Sequence, residues 1–172
     1  MTTMERAQVL ETVREAHAAG RRADLRGTSL AYSDLHDINL RGADLTGADL
    51  TGTLLAGVSL RDADLTGADL TDANLAGTLL AGICLFGADL TGANLAGTLL
   101  ARARLEGAHL TTEQLLDTRG LRPVGRGLHR DTWDQLLPTN PEQRQLVEHL
   151  LNDGWDGTLR EAVETVEGLA GR

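Results

Sequence analysis

Leucine occupies every fifth position from Leu25 to Leu115, nineteen times without a slip of phase. Two residues before each leucine the side chain is usually small, as at Ala23, Thr28, Ser33, Ala43, Ala48, Ala63, Ala68, Ala73, Ala88 and Ala93. The residue immediately before it is often Asp or Asn, as at Asp24, Asp44, Asp49, Asn74, Asp89 and Asn94. Glycine often follows two residues later, as at Gly47, Gly52, Gly67 and Gly77.

A period of five suits neither regular element. On a helix, residues five apart lie roughly 140° apart around the axis, so no apolar face forms. On a flat strand, side chains alternate, and leucines five apart point to opposite faces. A short extended piece with the small residue and the leucine inward, the Asp or Asn outward, and a corner before the next piece resolves the conflict. Glycine relieves the corner backbone. Repeated corners wind the chain into a coil, and stacked coils pair their backbones at about 4.8 Å. Each leucine then enters a common interior, with a burial free energy of about 1.5–3 kcal/mol.

This A(D/N)LxG pattern resembles the pentapeptide-repeat family. The resemblance implies an all-β solenoid, a right-handed quadrilateral β-helix with four pentads per coil. Nineteen pentads would make about five coils, a rod on the order of 23 Å long at 4.8 Å per coil.

The flanks carry a helical pattern. Residues 3–19 predict an amphipathic helix with Val9, Leu10, Val13 and Ala16 on one side, stopped at Gly20. Such a helix would cap the first coil, since a solenoid end exposes apolar rungs and strand edges. "TTEQLLDTRG" has capping-box spacing from Thr111 to Gln114 and predicts a short helix over the last coil. Three helices are expected beyond. The first starts at Asp131 with Trp133, Leu136 and Leu137 apolar. The second opens at Asn140-Pro141 with Leu146, Val147, Leu150 and Leu151 on one stripe, and ends at Gly154. The third opens at Thr158 with Glu161 and carries Leu159, Val163, Val166 and Leu169. The expected layout is a capping helix at 1–22, the repeat rod at 23–117, an arginine-rich linker at 118–130 and an α-helical appendage at 131–172.

Composition narrows the chemistry. The net charge is −9, which argues against direct binding of nucleic acid. All 16 basic residues are arginine, so there is neither a P-loop lysine nor a Schiff-base lysine. The single cysteine, Cys84, excludes a disulfide framework. His17, His36, His109, His129 and His149 show no metal-ligand spacing, and Ser29, Ser33 and Ser59 sit inside the repeat rather than in a nucleophile elbow. A leucine-filled rod has no cleft, so neither an enzyme nor a cofactor or metal site is expected. The opening residues have no apolar signal core and no run is long enough to span a bilayer, which predicts a cytoplasmic protein with no membrane partner.

Function is therefore expected at the surface. With four pentads per coil, residues twenty apart stack. Asp49, Asp69 and Asp89 form one acidic stripe with Asp72 close by, and Asp24, Asp44 and Asp64 form another on the neighbouring face. "GTLLAG" at 52–57, 77–82 and 97–102 points Leu54, Leu79 and Leu99 outward, a candidate apolar contact patch. Phe86 and Ile83 beside Cys84 offer a second. The stripes have two readings: carboxylates that close the repeat's own turns, or a DNA-like comb. The resemblance implies the latter for family members that act on DNA gyrase and confer resistance to its inhibitors. The exposed leucines likewise either lie under the C-terminal helices or contact a partner. The leading expectation is a non-catalytic interaction scaffold, with the C-terminal helices or the Leu79/Leu99 face as the candidate surfaces for a homodimer. The alternatives are a DNA-mimic modulator of gyrase and a substrate or carrier for a modifying enzyme.

Overall fold

The structure is a computed structural model that describes residues 2–119, 141–153, 155 and 157–170. Every fifth-residue leucine from Leu25 to Leu105 is buried, with no more than 6% of its surface exposed. The small residues two positions earlier, among them Ala43, Ala63 and Ala88, are buried beside them. Ile38, Val58 and Ile83 fill the same inward position. Ile83 therefore belongs to the core and not to a surface patch, because it stands at the small-residue position of its pentad.

The corners repeat one design. The N–H of the residue after the turn returns to the leucine carbonyl, as from Ala48 to Leu45 (3.0 Å) and from Ala68 to Leu65 (3.0 Å). The residue between them has a positive φ, 63° at both Gly47 and Gly67, as the third position of a type II turn requires. Five corners hold this angle without glycine, at Tyr32, Asp37, Asp62, Asp72 and Arg102. The turn geometry is thus imposed by the stacking, and glycine only makes it cheaper.

Parallel bridges join residues twenty apart, so four pentads return the chain to its starting side. One ladder runs Asp24, Asp44, Asp64, Cys84, Arg104. The next runs Ser29, Asp49, Asp69, Asp89, His109. A third runs Asp34, Leu54, Asn74, Asn94, and a fourth Ser59, Leu79, Leu99, Arg119. Backbone bonds between rungs are short and regular: Leu45 N–H to Asp64 O is 2.7 Å and Leu65 N–H to Cys84 O is 2.8 Å. The five buried threonines, Thr28, Thr53, Thr78, Thr98 and Thr118, each donate their hydroxyl to a leucine carbonyl, so the core contains no orphaned side-chain polar atom among the described residues.

At the start, β1 (Thr2–Thr3) pairs in parallel with β2 (Thr28–Ser29), extending the second ladder by one rung. Helix α1 (Arg6–Ala18) follows and sinks Val9, Val13 and Ala16 into the shared core. Leu10, expected on that buried side, is 43% exposed. Val9, Val13 and Ala16 are spaced four and three apart on one line, and Leu10 falls about 100° off Val9. Arg6 ties α1 down by donating to the carbonyls of Asp34 and His36.

At the other end, α2 (Thr112–Leu116) opens on the expected capping box, with Gln114 N–H on Thr111 Oγ1 at 3.2 Å and Thr111 N–H on Gln114 Oε1 at 2.7 Å. Leu115 stays fully buried although it is helical. Helices α3 (Pro141–Asn152) and α4 (Leu159–Ala170) pack on each other, and α4 also touches α2. Val147, Leu151, Leu159, Ala162 and Val166 are buried. Leu146, expected on the stripe of α3, is 50% exposed because it flanks Val147 rather than following its line. Thr158 and Glu161 cap α4 reciprocally. Arg119 pairs antiparallel with Thr158, and Arg160 holds Asp117 at 2.7 Å and Glu113. The helix expected from Asp131, with Trp133, Leu136 and Leu137, lies outside the described residues. So do Asn140, Gly154, the side chain of Leu169 and all of the arginine-rich linker after Arg119. No described helix is long and apolar enough to cross a membrane.

Candidate functional site

The structure brings the expected acidic residues together. Asp24, Asp44 and Asp64 are successive rungs of one ladder, and Asp49, Asp69 and Asp89 of the next. Each of these six carboxylates also accepts the N–H of the residue two positions on, as at Asp44 to Thr46 (3.1 Å), Asp69 to Thr71 (2.9 Å) and Asp89 to Thr91 (2.9 Å). Asn74 and Asn94 do the same with their amide oxygens, at 3.2 and 3.1 Å. The aspartates therefore close turns first and form stripes as a consequence. The Asx side chain offers the turn N–H an acceptor that no other backbone group supplies.

The two stripes differ in how much charge they leave free. In the first ladder, Arg26 pairs with Asp24 at 2.7 Å and approaches Asp44 at 3.7 Å. The Arg26 side chain beside Asp24 holds its carboxyl at about 2. Asp64 is held below the usual range by the Thr66 hydroxyl, helped by the charges of Arg22 and Arg104. The second ladder has no arginine. Burial pushes the Asp49 carboxyl up, but bonds from Thr51 and Ser29 outweigh it and the carboxyl is lowered. The Thr91 hydroxyl lowers Asp89, with His109 as a weaker contributor 3.8 Å away. Asp72 sits at the adjoining corner, its carboxylate over Gly92.

The outward leucines are also where the repeat predicts. Leu79 and Leu99 are bridged neighbours on the fourth ladder, while Leu54 stands on the third between Asp34 and Asn74. Leu54 is 47% exposed and Leu79 38%, and Leu99 is half-buried. The described part of the C-terminal helices meets the rod at its last coil, through Arg160, Leu159 and Arg119. Arg160 reaches the acidic residues of α2 at the rod end; the remaining residues expected to cover Leu79, from Asp131 to Leu137, lie outside the described residues. Phe86 is exposed at the corner between the first two ladders. Residues 73–88 carry no charge, and the bridged neighbours of Leu79 on its ladder, Ser59 and Leu99, are uncharged too.

One group escapes the reading of the leucine and aspartate pattern. At the corner between the fourth and first ladders, Gly42 N–H bonds Arg61 O and Asp62 N–H bonds Ala81 O, which stacks positions 41, 61, 81 and 101. Arg41 and Arg61 thus lie one above the other. Arg21 lines a shallow notch with His17, Asn39, Arg41 and Asp62, while Ala81 and Ala101 continue the stack beyond Arg61, with Arg102 at the next corner position. Arg41 pairs with Asp62 at 3.6 Å. Arg21, Arg61 and Arg102 form no ion pair among the described residues. The signal lay in the sequence as arginines at a spacing of twenty, visible only once a coil is known to hold twenty residues.

Among the described residues no three His, Cys, Asp or Glu side chains gather where they could hold a metal ion, and Cys84 is free and half-buried.

A family model for pentapeptide repeats matches in eight copies, over residues 21–57, 43–82 and 83–111. The chain belongs to the pentapeptide-repeat family. Members of this family form right-handed quadrilateral β-helices. Among solved structures, the pentapeptide repeat protein Rfr23 of the cyanobacterium Cyanothece 51142 is 34% identical over 52% of this chain and 57% of its own, with a TM-score of 0.39. This chain thus spans little more than half the length of Rfr23. A pentapeptide repeat protein of the Arabidopsis thaliana thylakoid lumen is 24% identical over 83% of this chain and 84% of its own (TM-score 0.44). QnrB1, a plasmid-mediated fluoroquinolone resistance protein, is 19% identical over 56% of this chain and 53% of its own (TM-score 0.35). No curated protein sequence matches the chain.

Proposed function

We propose that this pentapeptide-repeat protein is a non-catalytic scaffold whose rod of nearly five coils, over residues 23–117, is closed by residues 1–22 and presents its side faces to a partner protein. The observation that carries this reading is the pair Leu54 and Leu79. Each replaces an Asp or Asn that would have closed a turn, and each leaves a large apolar side chain in water. Neither exposure serves the fold, whereas an apolar patch is the ordinary centre of a protein contact. In-cell crosslinking tests it. Leu54→Asn with Leu79→Asn should leave the fold intact and remove the crosslinks that the wild type makes; unchanged crosslinks would dismiss the leucine faces.

A second reading is supported by the carboxylate ladders: a DNA-mimicking modulator of DNA gyrase. Asp49, Asp69 and Asp89 pair with no arginine among the described residues, and the carboxyls of Asp49 and Asp89 are held below the usual range, as a phosphate-like comb would need. Their hydrogen bonds to turn N–H groups give them a structural reason to be there, which is why this reading stands second. A gyrase supercoiling assay with and without a quinolone separates the two, since the scaffold reading expects no effect. A carrier or substrate role for a modifying enzyme has no residue on the rod to favour it.

A further inference from the structure

The arginine row and the second acidic ladder lie on different sides of the rod, with the whole first ladder between them. They cannot neutralise each other within one chain, and no ion pair joins them. Both are ladders of the same coil, so both advance by one strand spacing per rung, about 4.8 Å. Any two rods laid side by side therefore present arginines and aspartates at equal pitch. The first ladder needs no second partner, because Arg26 already covers Asp24 and Asp44.

We propose that the edge formed by Arg21, Arg41 and Arg61 is a self-association surface that docks on the Asp49/Asp69/Asp89 face of a second copy. Each aspartate spends Oδ1 on its own turn, which leaves the other oxygen of Asp69 and Asp89 to accept from a guanidinium. The contact is heterologous: every copy keeps one unused edge and one unused face, so assembly continues as an open side-by-side array. At about 0.1 M salt the Debye length is about 10 Å, which screens the repulsion between whole chains of net charge −9 more than it weakens touching pairs. The pairs are exposed and individually weak, so the array is weak and salt-sensitive.

Sedimentation velocity over a concentration series tests this with three proteins: the wild type, Arg21→Glu with Arg61→Glu, and Asp49→Asn with Asp69→Asn and Asp89→Asn. Asparagine keeps the turn bond, as Asn74 and Asn94 do, and the two arginines make no side-chain bond that the fold uses. The wild type should associate at about 0.1 M salt and weaken about tenfold or more at about 1 M, where the Debye length is about 3 Å. Each variant alone should remain monomeric. An equal mixture of the two should recover a dimer and stop there, because one supplies the face and the other the edge. A wild type that stays monomeric at 0.1 M salt, association that survives either variant, or a mixture that fails to pair would each overturn the proposal.

Discussion

The side-chain amide of Gln114 donates to the carbonyl of Ala93 at 2.8 Å, the place held at earlier rungs by the backbone N–H of the next coil, as Asn94 N–H holds Ala73 O at 2.9 Å. Gln114 also reaches Leu90 O at 2.8 Å. One glutamine in α2 therefore ends the third ladder by imitating a strand. Gln114→Ala should cost about 1–3 kcal/mol, since it strands the Ala93 carbonyl, whereas Leu90 O keeps the Ala93 N–H at 3.0 Å. Thermal denaturation should show a drop of roughly 2–4 °C per kcal/mol, with amide exchange rising first near Leu95 and Leu115.

The same ladder contains a natural control. Leu54→Asn gains the turn bond that Asn74 makes and loses a side chain already 47% exposed, so stability should change by less than about 1 kcal/mol. Leu55→Ala, one residue on and fully buried, should cost about 2–5 kcal/mol. Equal losses in urea titrations of the two variants would contradict the inward and outward assignment.

Corner backbones make an opposite pair of predictions. Gly67 has φ 63° with open space where a Cβ would go, so Gly67→Ala meets only conformational strain, about 1–2 kcal/mol. Arg102 holds φ 61° with a side chain, and Arg102→Gly should stabilise by up to about 1 kcal/mol. Midpoints of chemical denaturation check both signs.

Acid should act through the turn-closing carboxylates. Asp24 falls from the ordinary 3.8 to about 2 in the folded chain, and Asp64 and Asp89 are lowered too. On acidification the unfolded chain takes up these protons first. The stability they contribute is thus complete above about pH 4, in the range of ordinary carboxylates, and is lost as pH falls towards 2. Asp24→Asn with Asp64→Asn and Asp89→Asn should flatten that fall. An unaltered acid limb in the pH dependence of the melting temperature would show that other groups control it.

Arg160 joins the C-terminal helices to the rod through Asp117 and Glu113. Arg160→Ala should weaken that junction only slightly, because the pairs are solvated. Limited proteolysis should then release the α3–α4 region sooner while the repeat stays resistant.

What the sequence determined alone is the wall of the rod. A leucine every five residues, with a small residue two before it, admits one arrangement that keeps both inside, because only a chain that turns at each pentad avoids alternating them outward. The inward residues, the helix at the start and the capping boxes at Thr111 and Thr158 follow from local spacing and local hydrogen bonds. The tertiary structure decided what depends on neighbours twenty residues away. It set φ above zero at Tyr32, Asp62 and Arg102, because coil stacking fixes the corner whatever residue occupies it. It showed the aspartates closing turns, left Leu10 and Leu146 in solvent, and replaced a strand with the Gln114 side chain. It also stacked Arg41 on Arg61, since charges remote in sequence become neighbours only when the length of a coil brings them into line.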